Sequence, residues 1–177
     1  LIRATSELVK HSPLLRHKLI VNVVGGASGA NTEEVDRLKE LSSWLGIDDV
    51  VRFAPPVPRA DLPQWYRAAD LVIVPSYSES FGLVALEASA SGVPVVATGV
   101  GGLLNLIEHG RTGYLVPVRD PNQFASFTAR LLNDPLLALS MGTAAAERAK
   151  SYSWKAAAAK ASRVYNELYV RDLVACS

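Results

Sequence analysis

Leu71-Val72-Ile73-Val74-Pro75-Ser76-Tyr77-Ser78-Glu79-Ser80-Phe81-Gly82-Leu83-Val84-Ala85-Leu86-Glu87 is the stretch whose reading decides the fold. Leu71 to Pro75 is a continuous apolar run with no polar alternation. A strand of that kind is buried on both faces, as in parallel sheets covered by helices. Ser76 to Phe81 reads as a loop, and Gly82 to Ser91 as a helix that is apolar or small except at Glu87. Strand, loop and helix in that order make half of a βαβ unit, and in such sheets ligands bind beyond the carboxyl ends of the strands.

The same alternation runs outward in both directions. Upstream, Ile2 to Lys10 reads as a helix, Lys18 to Val24 as a strand ending at Gly25-Gly26, and Thr32 as the cap of a helix closing at Gly46. Val35, Leu38, Leu41 and Leu45 form one face of that helix. Val50 to Ala54 is a strand and Asp61 to Ala69 a helix. Downstream come a strand at Val95 to Thr98, a short helix at Leu103 to His109 and a strand at Tyr114 to Val116. Two helices parted near Pro135 come next, and a long one starts at Ser153. The fold class is therefore α/β, a Rossmann-like parallel sheet flanked by helices. On the last helix Trp154, Ala157, Ala161, Val164 and Leu168 keep helical spacing and are expected to pack on the sheet, with the distal end unpartnered.

Composition narrows the function classes. Eighteen basic residues against seventeen acidic leave a net charge of +1, so nothing points to nucleic acid or an anionic membrane. Cys176 is the sole cysteine, which excludes an intrachain disulfide and agrees with a cytoplasmic setting. Ala88 to Ile107 carries no charge, but Gly92, Pro94, Gly99, Gly101 and Gly102 interrupt it, so it is not a transmembrane segment. Gly25 to Gly29 lacks the lysine of a P-loop, and Gly99 to Gly102 is not a dinucleotide fingerprint. The latter glycines are expected to let the backbone approach a ligand. His11, His17 and His109 show no metal spacing and read as solvated.

Chemistry concentrates at Ser76 to Glu87. The N–H groups opening the helix are unpaired and carry roughly half a positive charge, which suits a phosphate. Glu87 is the one charge in an apolar helix, expected to be largely buried, where an ionised carboxylate needs hydrogen-bond partners. It lies about 7–8 Å along the axis from the phosphate-binding turn, a reasonable reach from a diphosphate to a ribose. Glu79 sits on the other side of that turn. The bland alternative is that one glutamate caps the helix and the other pairs with an arginine.

Glu79-Ser80-Phe81-Gly82-Leu83-Val84-Ala85-Leu86-Glu87 resembles the E-x7-E signature of family 4 retaining glycosyltransferases, whose GT-B fold faces two Rossmann-like domains. Val23 to Gly26, Val51 to Pro58, Tyr66 to Ser76, Ser91 to Ala97, Gly101-Gly102 before Gly113, and Tyr152-Ser153-Trp154 resemble the family in the same order. The resemblance implies that residues 1–177 form the C-terminal, nucleotide-sugar-binding domain. A strand, an Arg and a Lys for the diphosphate, and an N-terminal acceptor domain are expected before Leu1. A sheet lacking that strand is expected to be marginally stable or closed by a partner chain such as a homodimer, and the 177 residues alone are expected to be inactive.

The resemblance makes Glu79 the catalytic-site carboxylate bonding the donor sugar and Glu87 the one bonding the ribose. Ser80, Phe81, Gly82, Leu83 and Val84 would hold sugar and diphosphate, and the backbone at Val57 would bond the base. No cofactor is required for the chemistry. Within the family the text is most similar to the branch that transfers N-acetylglucosamine from UDP to an inositol phosphate in mycothiol biosynthesis, and sucrose-phosphate synthases share much of it. In that branch a non-catalytic Mg2+ sits on a helix end matching Tyr66, Arg67 and Ala69, beside a threonine that is Val93 here. Leu104-Asn105 replaces the Pro-Glu common in the family. The competing readings are a non-catalytic nucleotide-binding module and a sugar-nucleotide epimerase of the same fold.

Overall fold

The structure is a computed structural model that describes residues 1–25 and 33–175. Helix α1 (Ile2–His11) leads through a turn of 3-10 helix at Pro13–Leu15 to β1 (Val21–Val24), followed by α2 (Glu33–Trp44) and β2 (Val51–Ala54). Then come α3 (Leu62–Arg67), β3 (Val72–Val74), α4 (Leu83–Ala90), β4 (Val95–Thr98), α5 (Leu103–Leu106) and β5 (Gly113–Val116). The chain closes with α6 (Pro121–Asn133), α7 (Pro135–Ala149), another 3-10 turn at Lys150–Tyr152, and α8 (Trp154–Ala175). Thr32, the expected cap of α2, and most of the glycine-rich loop before it lie outside the described residues.

All strand pairs are parallel, as the uninterrupted apolar runs require. They form two sheets, one ordered β1-β2 and the other β3-β4-β5. The central β4 is buried along its whole length. Alternation sends its side chains to opposite faces. Val95 and Ala97 join Ala85, Ala88, Leu103 and Leu106 from α4 and α5. Val96 joins Ala4 of α1, Phe124 and Leu131 of α6, and Met141 of α7. The β1-β2 sheet has its own core, in which Ile2 and Val9 of α1 meet Ile47, Val50 and Val51. Helix α1 thus packs into both cores.

The boundaries arise from local chemistry. The Asp120 carboxylate accepts the Asn122 N–H at 2.9 Å and Asp134 accepts that of Leu137 at 3.0 Å, each beside a proline that needs no donor. Gly46, at φ +65, ends α2 in the left-handed region that glycine adopts without strain. The strand expected from Lys18 starts only at Val21, because the Lys18 and Leu19 N–H groups bond to the Leu15 carbonyl. Among the described residues no helix is long and apolar enough to cross a membrane.

Helix α8 departs from the sequence reading in its first turns and meets it at the distal end, which is unpartnered among the described residues as expected. Trp154 is 92% exposed and Ala157, Ala161, Val164 and Leu168 are exposed as well, so the stripe does not pack on the sheet. Helical periodicity reports a face that could be buried, not whether anything covers it.

Gly142 of α7 crosses the Gly92 turn with no room for a side chain: a Cβ there would lie 2.0 Å from the Gly92 carbonyl oxygen. Gly142→Ala is expected to destabilise the chain by about 1–3 kcal/mol. A thermal melt indistinguishable from wild type would contradict this packing.

Candidate functional site

Main-chain contacts hold the middle of the loop between β3 and α4, and side chains brace its ends. The Gly102 N–H donates to the Glu79 carbonyl at 2.9 Å. A Cβ on Gly101 would lie 1.9 Å from that same oxygen, and one on Gly102 2.6 Å from Phe81 backbone atoms. These glycines therefore admit the 79–81 loop. Arg119 braces the start of the loop, its Nε donating to the Pro75 carbonyl at 3.0 Å while its guanidinium covers the Tyr77 ring. Tyr152 braces the far side, edge-on to Phe81 and donating to the Asn105 carbonyl at 2.7 Å.

Gly82 turns the chain into α4 at φ +90, a conformation open to glycine and strained for other residues. Its N–H donates to Glu79 Oε1 at 3.0 Å, so Glu79 caps the helix as the bland alternative anticipated. Among the residues expected to hold the donor, Gly82 thus has its amide already partnered. The amides of Leu83 and Val84 fall in the first turn, where no helical acceptor exists. Leu83 and Val84 are exposed, as are Phe81 and Ser80. The expectation of a largely buried helix is accordingly corrected: α4 buries Ala85, Ala88 and Ser89 and leaves a second face open.

Glu87 lies one turn further along that helix with 32% of its side chain exposed. Tyr66 of α3 donates its hydroxyl to Oε2 at 3.0 Å. Arg59, on the loop after β2 and itself 85% exposed, brings a guanidinium nitrogen to 3.9 Å from Oε1. Arg59 stands two residues after Val57, so the loop expected to meet the base runs beside Glu87. Neither Arg59 nor the Tyr66 side chain was singled out from sequence. The tyrosine lies 21 residues from its partner, with no local spacing to signal the pair.

Burial, and then the hydrogen bond to Glu87, push the Tyr66 hydroxyl up from its ordinary value of 10.0 to about 12. For the expected Mg2+ position, the Tyr66 carbonyl accepts the Ala69 N–H at 3.0 Å and Val93 supplies no side-chain oxygen. Among the described residues no three His, Cys, Asp or Glu side chains come together. The threonine of the expected set is thus missing, and backbone carbonyls are the donors that remain. His109 is exposed, as expected of a solvated histidine, while its Nδ1 accepts the Leu115 N–H at 3.1 Å and its ring stands edge-on to Tyr114 and Phe127.

With this geometry in place, comparison with known proteins is decisive at family level. The profile of the glycosyl transferases group 1 matches residues 1–148. The chain belongs to that family. D-inositol 3-phosphate glycosyltransferase 2 of Catenulispora acidiphila is 49% identical over 166 residues, covering 94% of this chain and 39% of that enzyme. Among solved structures, sucrose-phosphate synthase from Thermosynechococcus elongatus superposes with a TM-score of 0.81 at 32% identity, covering 96% of this chain and 42% of that one. Anabaena Alr3699/HepE, in complex with UDP and glucose, superposes with a TM-score of 0.74 at 28% identity, covering 84% and 39%. The chain spans about two-fifths of the length of these relatives. The GT-B class expected from sequence therefore holds.

The Tyr66 pairing has a pH signature. Its folded-state value is raised, so the protonated hydroxyl is the favoured form. The stability it contributes is complete below pH 10.0 and is lost as pH rises toward about 12. The ultraviolet difference between wild type and Tyr66→Phe through an alkaline titration isolates this hydroxyl. A midpoint near about 12 is expected, and one at the ordinary 10.0 would contradict the pairing.

Proposed function

We propose that this chain holds the UDP-sugar donor of a retaining glycosyltransferase, with UDP-N-acetylglucosamine as donor and an inositol phosphate or similar small molecule as acceptor. The observation that carries this reading is Glu87, a partly exposed carboxylate on the open face of α4, one turn beyond the free amides of Leu83 and Val84. In this reading the diphosphate sits on those amides and the ribose hydroxyls donate to Glu87. The base lies along the loop at Val57. The sugar extends toward Glu79, which exchanges its bond to the Gly82 N–H for hydroxyls of the donor. The similarity to an inositol phosphate enzyme supports the acceptor, and the UDP and glucose bound by the Anabaena protein support the nucleotide.

The acceptor oxygen forms its bond to the anomeric carbon on the face from which UDP departs. The bond from that carbon to the diphosphate breaks, and a diphosphate oxygen takes the acceptor's proton. No protein base is needed. The protein positions the reactants and stabilises the charge that builds on the leaving diphosphate. The first turn of α4 meets that charge with its amides and the positive end of its dipole.

The likeness to sucrose-phosphate synthase favours a second acceptor, a sugar phosphate in place of an inositol phosphate, on the same donor geometry.

Calorimetry with UDP separates the two carboxylates. Glu87→Ala is expected to weaken binding by roughly 1–3 kcal/mol, the scale of a hydrogen bond to a charged group. Glu79→Ala is expected to leave UDP affinity nearly unchanged, because Glu79 serves the sugar. Equal losses at both positions, or no UDP binding by wild type, would overturn the assignment.

A further inference from the structure

We propose that Tyr66 is a positioning residue for the nucleotide, fixing Glu87 in the orientation that receives the ribose. The inference rests on the donor geometry proposed above and adds a residue to it. Glu87 is a long side chain on the open face of α4, and left alone it would sample several rotamers at an entropic cost on binding. Tyr66 removes that freedom. Its ring packs against the core cluster around Ala85, Ala88 and Leu103, so the hydroxyl is a fixed point. That hydroxyl donates to Oε2 at 3.0 Å.

The second carboxylate oxygen is differently placed. Oε1 has Arg59 at 3.9 Å, beyond direct hydrogen-bond range, and the arginine is 85% exposed. One oxygen is thereby committed to the protein and the other is left for a ligand hydroxyl. Because the Tyr66 proton is retained to about pH 12, the hydroxyl remains a donor at any working pH.

A partly buried tyrosine hydroxyl gains from a partner in any case, so the test must separate positioning from mere satisfaction of Tyr66. UDP and 2′,3′-dideoxy-UDP, which lacks both ribose hydroxyls, are titrated into wild type, Tyr66→Phe, Glu87→Ala and the double variant. Wild type is expected to prefer UDP. Tyr66→Phe is expected to weaken UDP by about three- to tenfold, the scale of one hydrogen bond, while leaving dideoxy-UDP affinity unchanged. In the Glu87→Ala background the same change is expected to have no further effect on UDP. Equal losses for both nucleotides, an unchanged UDP affinity, or additive effects in the double variant would overturn the role of Tyr66. A wild type indifferent to the ribose hydroxyls would instead overturn the donor geometry itself, leaving Tyr66 nothing to position.

Discussion

The hydrogen bond from the Gly102 N–H to the Glu79 carbonyl, 2.9 Å long, is the constraint on which the site depends. It joins the turn after β4 to the loop after β3 by main chain alone. The approach is so close that neither Gly101 nor Gly102 could carry a Cβ without displacing the opposite backbone. A contact between backbones does not change rotamer, so it positions the adjoining residues with little slack. Chief among them is Gly82, whose left-handed conformation aims the first turn of α4, and with it the direction of every free amide in that turn.

From that fixed turn the two acidic residues acquire different tasks. Glu79 is local to the turn and satisfies one of its donors, an arrangement that any small anion or sugar hydroxyl would compete with. Glu87 lies deeper along the helix and is tied to other elements, to α3 through Tyr66 and to the loop after β2 through Arg59. The first is thus a reversible cap and the second a braced acceptor. Two residues of the same chemistry differ because one borrows its partner from the backbone and the other from a side chain across the fold.

Much of this was legible in the sequence where the signal is local. Val95 to Thr98 announces a buried strand because Val95, Val96 and Ala97 are apolar without alternation, and Pro121 and Pro135 mark helix starts because each comes after an aspartate able to cap. Glu79 and Glu87 stood out as charges flanking an apolar helix start. The partners of those carboxylates were not legible. Tyr66 and Arg59 meet Glu87 only after α3 and the preceding loop dock on α4, a tertiary event without a spacing rule. The double glycine was noticed, but its contact with the 79–81 loop was not legible for the same reason, since sequence says that a backbone will be approached and not by what. The stripe on α8 failed differently: its periodicity is genuine, but a face needs a second surface to become buried.

Helix α1 carries a consequence of its own. Ile2 and Val9 belong to the core of the β1-β2 sheet and Ala4 to that of the β3-β4-β5 sheet, with no strand pairing between the two among the described residues. The loop bearing Val57 and Arg59 rides on the first unit and the opening turn of α4 on the second. A ligand spanning both would act as a rivet, and α1 as the hinge pin beneath it. Where the seating of α1 and the binding of such a ligand favour the same arrangement of the two sheets, linkage makes each strengthen the other by the same free energy. A helix that contributes nothing to the chemistry would then help set how firmly the nucleotide is held.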